Sequence, residues 1–270
     1  MAEPALTYER RGHIVYITMN RPEKRNAINP EMMVRLAQAW TDFDDDDEAR
    51  VAIITGAGDK AFCAGADLAR LIPLMTGARK AEDEWDRRLT EDPARTRRAL
   101  LRGEPIYKPI ISAVNGVCLA AGTELIQGTD IRVAAERATF GLTEVQRGII
   151  PAGGGLVRLP RQIPYANAME IMLVGDSISA ADARRIGMVN HVVPAGELMA
   201  KAEALAGRIA ANGPLAVRKV KEAVLKGAGL PLAEAERIEG KAVAEVMASE
   251  DAREGPLAFA QKRTPKWKGR

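Results

Sequence analysis

The sequence contains few of the residues on which disulfide frameworks and histidine metal sites depend. Among 270 residues there are two cysteines and two histidines, and aromatic residues make up 4%. Cys63 and Cys118 each lie in an apolar stretch, which favours buried thiols in a reducing compartment over a disulfide. His13 and His191 are far apart in the sequence, so no histidine-rich metal site is expected. We therefore predict a cytoplasmic protein without a bound metal.

The sequence also lacks the features of membrane proteins and of nucleotide or nucleic-acid binders. No apolar run approaches the roughly 20 residues of a membrane span, and Met1 to Tyr8 does not resemble a signal peptide. The net charge is only +3, with both signs mixed along the chain, so no basic field for a polyanion is expected. Neither G-x-x-x-x-G-K-[ST] nor G-x-G-x-x-G occurs. These absences argue against a membrane span and against nucleic acid as a partner.

Short apolar strands alternate with helices over residues 1–195. The β-branched runs His13–Met19 and Val51–Thr55 predict buried strands. Between them Asn29 can cap a helix that has Pro30 at its first position. The pattern then recurs as a strand over Pro109–Val117, a helix over Thr123–Gln127 and a strand over Asp130–Ala134. Such alternation predicts an α/β core with parallel strand pairing.

Residues 196–270 have a different texture, rich in Ala, Glu and Lys. Periodic stretches over Glu197–Ala211, Pro214–Lys226 and Leu232–Ala248 predict helices, with Gly-Pro breaks between them. We expect this region to serve assembly or to act as a lid. Earlier in the chain, the acidic run Asp44–Glu48 is predicted to be a solvated loop rather than a metal site. The charged segment Arg79–Arg102 is expected to form a mobile or surface helix pair above a pocket.

Two small-residue segments follow predicted strands. Ala61–Leu68 (AFCAGADL) and Val114–Glu124 (VNGVCLAAGTE) each let a substrate approach the backbone closely, so that amide N–H groups can be aimed at an oxygen. Taken alone, the first segment is better explained as a tight turn packed under a helix. Two such turns could present two convergent amides.

Two glutamates stand inside otherwise apolar or small-residue sequence, where an unpaired charge is costly. Glu124 follows the second small-residue segment, and Glu144 ends Phe140–Glu144 (FGLTE), ahead of the glycine cluster Gly153–Gly155. Functional acids are often found in such surroundings. An alternative left open by the spacing is that each glutamate caps a helix or pairs with an arginine such as Arg147 or Arg158.

Together these residues resemble the enoyl-CoA hydratase/isomerase, or crotonase, superfamily, over nearly the whole chain. The similar segments, in order, are Arg21–Asn29, Ala61–Leu68, Val114–Glu124, Phe140–Glu144, Gly148–Gly155, Ser179–Val189 and Phe259–Arg263. The resemblance implies an α/β fold, a spiral of ββα units (residues 1–195), with a C-terminal helical trimerisation region (196–270). It also implies homotrimers, commonly stacked as homohexamers.

The resemblance further implies the roles of individual residues. The backbone N–H groups of Ala66 and Ala121 would form an oxyanion hole for the thioester carbonyl of an acyl-CoA. Glu124 would orient and deprotonate water, and Glu144 would exchange the proton at the α-carbon. Coenzyme A would enter as part of the substrate, with no separate cofactor. It would be held by Ala64, Ala66, Asp67, Leu68, Ala69, Phe259 and Lys262. Phe259 and Lys262 would reach its adenine end, in the same or a neighbouring subunit.

Hydration of a 2-enoyl-CoA is the expected reaction, because hydratases of this family carry two glutamates whereas isomerases usually keep one. Dehydration of a hydroxyacyl-CoA such as carnitinyl-CoA, or isomerisation, is the alternative, and a non-catalytic RNA-binding relative is a minor one. The chain departs from the family pattern at Ala120-Ala121, where glycines are common, at Thr143, where a proline often stands, and at Ala152. We expect the acyl pocket to be lined from residues 71–105, with Leu71, Ile72, Leu74, Met75 and Trp85 as candidates, or these residues to pack in the core.

Overall fold

The computed structural model describes residues 3–270 and contains ten strands in two sheets. The strands are β1 (Leu6–Arg11), β2 (Ile14–Met19), β3 (Val51–Gly56), β4 (Ala61–Cys63), β5 (Ile110–Val114), β6 (Val117–Leu119), β7 (Ile131–Ala135), β8 (Thr139–Gly141), β9 (Ile178–Ser179) and β10 (His191–Val193). The large sheet has the order β1-β2-β3-β5-β7-β10, and the small sheet has the order β4-β6-β8-β9. All pairs are parallel except β1–β2 and β8–β9.

Residues 3–270 also form twelve α-helices. They are α1 (Pro30–Asp45), α2 (Leu71–Met75), α3 (Glu84–Glu91), α4 (Ala94–Ala99), α5 (Ala121–Ile126), α6 (Gly155–Gln162), α7 (Tyr165–Val174), α8 (Ala180–Arg185), α9 (Leu198–Ala210), α10 (Pro214–Gly227), α11 (Leu232–Ala248) and α12 (Asp251–Ala260). Short 3-10 turns occur at Pro22–Lys24, Glu144–Arg147 and Ala195–Glu197. The predicted α/β class and the predicted C-terminal helices are confirmed.

The predicted β2–α1–β3 unit is present as expected from its local signals. The side chain of Asn29 accepts a hydrogen bond from the amide of Met32 at 2.9 Å, and Pro30 is the first helical residue. The apolar face of α1 is buried, including Trp40, whose indole N–H donates to the carbonyl of Ala99. Strands β2 and β3, which precede and follow α1 in the sequence, pair in parallel.

The predicted strand Pro109–Val117 is wrong as a single element. The chain leaves the large sheet after Val114, turns at Asn115-Gly116, and enters the small sheet as β6. A Cβ atom on Gly116 would lie 2.3 Å from the carbonyl oxygen of Lys60, so only glycine fits where this crossing passes the chain between β3 and β4. The change of sheet leaves no mark in the sequence pattern, because the apolar residues of β6 continue those of the fully buried β5.

Two buried asparagines hold the crossing point. The side-chain amide nitrogens of Asn26 and Asn115 donate to the carbonyl oxygen of Ala61 at 2.8 and 3.2 Å. Asn115 also donates to the carbonyl of Gly56 at 2.9 Å. Because unpaired carbonyl groups are costly in a core, these bonds stabilise the irregular backbone that leads from β3 into β4 and from β5 into β6.

The C-terminal helices differ in what they cover. Helix α9 packs its buried residues Leu198, Ala202 and Ala206 against the large sheet. Helices α10 and α11 have no fully buried residue, and their exposed apolar side chains include Val220, Val224, Val243 and Met247. Within residues 3–270 no helix is long and apolar enough to cross a membrane. The domain boundary near residue 195 stays a prediction.

The two charged segments, Asp44–Glu48 and Arg79–Arg102, contribute to helices of the fold. Asp44 and Asp45 end α1, and no cluster of metal-ligating side chains exists among the residues that the structure describes. The segment Arg79–Arg102 forms the helices α3 and α4, which confirms the predicted surface helix pair. Asp86 of α3 is fully buried and bonds to the guanidinium of Arg79, which also donates to the carbonyl of Arg70 at 2.7 Å just before α2. This ion pair fixes α2 relative to α3.

Candidate active site

The first small-residue segment presents a free amide. Ile28 donates to the carbonyl of Gly65 at 2.8 Å and accepts from the amide of Asp67 at 2.9 Å. In such a parallel bridge the N–H of the intervening residue, Ala66, points away from Ile28. Within residues 3–270 the amide of Ala66 donates to no acceptor. Asp67 is held by Arg21 at 3.0 Å, which fixes the loop.

The second segment places another free amide beside the first. Ala121 is the first residue of α5, so its N–H has no partner inside the helix, and it has none elsewhere in the described chain. A Cβ atom on Gly65 would lie 3.8 Å from the amide nitrogen of Ala121 and 2.8 Å from the Cβ of Ala120. The two bends therefore touch, and both Ala66 and Ala121 line one cavity.

Ala120 adopts a backbone conformation that favours glycine. Its φ and ψ are +50° and −124°, and its amide donates to the carbonyl of Gly141 at 2.8 Å. This conformation turns the chain from β6 into α5 and exposes the amide of Ala121. The alanine found where glycine is common thus keeps the predicted geometry, but at a cost in backbone strain.

The cavity between these bends and the helix pair has a volume of about 540 Å³. It is lined by Lys24, Ala27, Met33, Ala64, Ala66, Asp67, Leu68, Leu71, Ile72, Met75, Thr96, Arg97, Leu100, Arg102, Leu119, Ala120, Ala121, Glu124, Thr143, Glu144, Arg147, Ile149, Ile150, Ala152 and Gly153. A volume of this size accommodates a small acyl group with part of its carrier.

Glu124 is almost fully buried at the cavity wall and is held by the backbone. Its Oε1 atom accepts hydrogen bonds from the amides of Gly153 at 2.7 Å and Gly155 at 2.9 Å. Burial raises the pKa of Glu124, and the two amides oppose that rise by stabilising the ionised form. The alternative of a pairing with Arg158 is not found, because that guanidinium donates to the carbonyl of Leu100.

Glu144 begins the 3-10 turn and reaches the same cavity. Its Oε2 atom is buried and has no hydrogen-bond partner within residues 3–270. Burial, reinforced by the negative charge of Glu124, raises the pKa of Glu144 to about 7. Arg147 does not pair with it, since its guanidinium donates to the carbonyl of Thr143 at 2.9 Å. Glu144 is thus suited to exchange a proton near neutral pH.

Part of the predicted coenzyme A set lies at the cavity. Ala64, Ala66, Asp67 and Leu68 line it. Ala69 does not, and its amide donates to the carboxylate of Asp67 instead. Phe259 and Lys262 also lie outside the cavity of their own chain, and the side chain of Phe259 is 87% exposed.

The five candidates for the acyl pocket divide between the two alternatives, cavity lining and packing elsewhere. Leu71, Ile72 and Met75 line the cavity. Leu74 is buried in the core, and Trp85 stacks between the guanidinium groups of Arg35 and Arg88 at 4.7 and 5.1 Å from the ring centre. The spacing and hydrophobicity of these residues could not distinguish cavity wall from core, because α2 is a short helix with apolar residues on all sides.

Several residues of the site were given no role by the sequence. Gly153 and Gly155 are the amide donors to Glu124, and a Cβ atom on Gly153 would lie 2.5 Å from Glu124 Oε2. The glycine cluster itself was the available signal. Leu100 and Arg102 join the wall from the end of the helix pair, where the sequence shows no motif.

Comparison with known proteins agrees with this geometry. The family model described as enoyl-CoA hydratase/isomerase matches residues 9–270. An enoyl-CoA hydratase of Mycobacterium tuberculosis is 44% identical over 99% of this chain and 97% of its own length. A carnitinyl-CoA dehydratase of Proteus mirabilis is 39% identical over 96% of this chain and 97% of its own length. The crystal structure of an enoyl-CoA hydratase from Bacillus anthracis superposes with a TM-score of 0.88, at 38% identity, covering 98% and 100% of the two chains.

The two-sheet α/β fold with C-terminal helices, together with these full-length relatives, defines an acyl-CoA enzyme of the crotonase superfamily. The family match and the full-length relatives are specific enough to go one step further. This chain belongs to the enoyl-CoA hydratase/isomerase family.

Proposed function

We propose that the protein is an enoyl-CoA hydratase that adds water across the 2,3 double bond of a 2-enoyl-CoA. One observation carries the proposal: the unbonded amides of Ala66 and Ala121 and the carboxyl groups of Glu124 and Glu144 line the same cavity. Two amides supply the electrostatic stabilisation that an enolate needs, and two carboxyl groups supply the two proton transfers of hydration.

In the proposed reaction the thioester oxygen accepts hydrogen bonds from both amides. Glu124, ionised and fixed by the amides of Gly153 and Gly155, takes a proton from water as the water oxygen bonds to the β-carbon. The double-bond electrons move onto the thioester oxygen as an enolate, which then collapses as Glu144 delivers its proton to the α-carbon. Loss of one oxyanion donor typically costs about 3 to 4 kcal/mol of transition-state stabilisation.

The charge of the cavity favours this reaction over dehydration of carnitinyl-CoA. A carnitinyl group carries a quaternary ammonium, which proteins bind with aromatic rings or carboxylates. Within residues 3–270 the cavity has no aromatic lining residue, and four cationic side chains line it, from Lys24, Arg97, Arg102 and Arg147. Of its three carboxylates, Asp67 is paired with Arg21, and Glu124 and Glu144 are assigned to the two proton transfers. Dehydration of an uncharged 3-hydroxyacyl-CoA is simply the reverse of the proposed reaction. Isomerisation is less well supported, because it needs one of the two acids.

The test is the loss of enoyl absorbance when purified protein is mixed with crotonyl-CoA, without added metal. Glu124→Gln and Glu144→Gln should each lower kcat by about 10²- to 10⁴-fold. The exposed residue Glu170 provides a matched control, and Glu170→Gln should keep wild-type activity. Full activity in both active-site variants would contradict the assignment.

The predicted partners and location are part of the same proposal. We propose that the exposed apolar faces of α10 and α11 assemble a homotrimer or homohexamer and that Phe259 and Lys262 then approach the adenine end of coenzyme A. Sedimentation velocity tests this assembly, since Val243→Glu should shift the protein toward monomer.

A cytoplasmic location is proposed from the two buried free cysteines. A gel-shift with RNA, expected to be negative, tests the minor alternative.

A further inference from the structure

The cationic side chains of the cavity are not spread evenly around it. Lys24 lies beside the first bend, where the neighbouring Arg25 carbonyl accepts from the amide of Ala64 at 3.0 Å. Arg102 bonds to the loop that holds Glu124, and Arg147 ends the turn that begins with Glu144. Arg97 lines the same cavity from α4, and both Arg97 and Arg147 are exposed to solvent. None of these three has a carboxylate partner within 4 Å among residues 3–270.

The guanidinium of Arg102 is held in place by a backbone carbonyl. Its guanidinium donates to the carbonyl of Ala152, next to Gly153, whose amide holds Glu124. Its positive charge also acts on Glu124, where it favours the ionised carboxylate. Arg102 therefore lies on the Glu124 side of the cavity, where the proposed reaction places the β-carbon with the rest of the acyl chain beyond it.

Arg97 and Arg147 line the same cavity as Arg102. The carbonyl of Arg97 accepts from the amide of Arg102 at 2.7 Å, and the guanidinium of Arg97 makes no hydrogen bond or ion pair within the described part of the chain. Arg147 ends the 3-10 turn that begins with Glu144. The apolar wall of Leu71, Ile72, Met75, Leu100, Ile149 and Ile150 shares the cavity with these charges.

We infer that the cavity accepts a 2-enoyl group that ends in a carboxylate, which Arg102 and Arg97 bind, with Arg147 at the rim. The inference deepens the proposed function and rests on it. The apolar wall contacts the methylene groups of the acyl chain. A guanidinium offers paired donors that match a carboxylate, and such charge-assisted bonds are about twice as strong as neutral ones. A plain alkyl chain would gain no such bond, and the exposed guanidinium of Arg97 would stay hydrated.

A six-carbon substrate pair tests the inference, since the two members differ only at the far end. The kcat/KM for 2-hexenedioyl-CoA should exceed that for 2-hexenoyl-CoA by about 10-fold or more, the worth of one charge-assisted hydrogen bond. Arg97→Gln and Arg102→Gln should each lower this ratio by about 10-fold. The control Arg161→Gln changes an exposed arginine of α6 outside the cavity and should leave the ratio unchanged.

Other outcomes overturn the inference in distinguishable ways. Equal kcat/KM values for the two substrates would show that the arginines do not select a carboxylate. An equal loss for both substrates in the variants, together with weaker binding of free coenzyme A, would assign the arginines to its phosphates. If neither substrate is hydrated, the proposed function fails, and calorimetric binding of adipoyl-CoA against hexanoyl-CoA still decides the inference. Because Arg97 makes no side-chain bond, Arg97→Gln should fold even if Arg102→Gln does not.

Discussion

Glu144 shares its cavity with Glu124, and burial together with the charge of that second carboxylate raises the pKa of Glu144 to about 7. The two acids differ in their partners. Glu124 accepts two backbone amides, whereas Glu144 Oε2 has no partner within residues 3–270. The geometry therefore keeps the proton of the pair on Glu144 and the negative charge on Glu124 at neutral pH.

The pH dependence of the reaction follows from this single shared proton. Glu124 and Glu144 must together hold one proton for hydration and also for dehydration. The kcat/KM values of the two reactions should therefore fall together as the pH rises above about 7. The measurement is a pH profile with crotonyl-CoA and with 3-hydroxybutyryl-CoA. A flat profile from pH 6 to 9 would contradict the role of Glu144.

Removal of the Glu144 charge should stabilise the fold at alkaline pH. Its folded-state pKa of about 7 lies above the ordinary value of 4.5, so the folded protein binds more protons between these values and loses stability as the pH rises through them. Glu144→Gln should therefore gain stability relative to wild type by roughly 1 to 3 kcal/mol between pH 5 and pH 8. Urea denaturation at both pH values measures the gain, and Glu136→Gln, an exposed site, is the control. A gain that does not grow with pH would argue against a destabilising buried charge.

Relief of the strain at Ala120 should also stabilise the protein. Glycine adopts a φ of +50° with ψ of −124° readily, so Ala120→Gly should raise the stability by about 1 kcal/mol and the Tm by about 2 to 4 °C. Ala121→Gly is the contrasting neighbour: it lies in α5 and should lower the Tm, because glycine weakens helices. Differential scanning calorimetry compares them, and equal shifts of the same sign would show that Ala120 is not strained.

Space around Glu124 is as important as its hydrogen bonds. A Cβ atom on Gly153 would lie 2.5 Å from Glu124 Oε2 and 2.6 Å from Leu100 Cδ1, so Gly153→Ala should displace the carboxylate. We expect kcat to fall by about 10²-fold or more, the usual contribution of a general base. Gly196→Ala introduces a methyl group into open space and should keep full activity. A fully active Gly153→Ala enzyme would mean that Glu124 is not held in one position for catalysis.

Local signals in the sequence were sufficient for some elements and not for others. Asn29, Pro30 and the apolar face of α1 act within one helix, and the prediction of that helix is confirmed. The partners of Glu124 are 29 and 31 residues away, so the choice between backbone amides and arginines could not be made from spacing. The strand predicted over Pro109–Val117 failed for a related reason, since hydrophobicity records burial and not the sheet to which a residue belongs.

The candidate site shows the same division. The family-like motifs contain Ala66 and Ala121, whose unbonded amides line one cavity, and their role in binding an oxygen stays a prediction. The apolar side chains of the cavity come partly from residues 71–105, where no motif occurs, and partly from Ile149 and Ile150. Leu74 and Trp85 lie outside the cavity, because their neighbours in space are set by the packing of α2 and α3. Arg97 and Arg102 were not singled out, because a charged run in a sequence gives no direction for its side chains.

Asn26 and Asn115 both donate to the carbonyl of Ala61, at the start of the strand that leads into the Ala66 bend. Neither asparagine belongs to residues 71–105, and that segment is tied to the cavity by other bonds, from the amide of Leu71 to the carbonyl of Asp67 and from Arg102 to the carbonyl of Ala152. A substitution within residues 71–105 that keeps these two contacts would therefore reshape the cavity wall while the strand beneath the Ala66 bend stays in place.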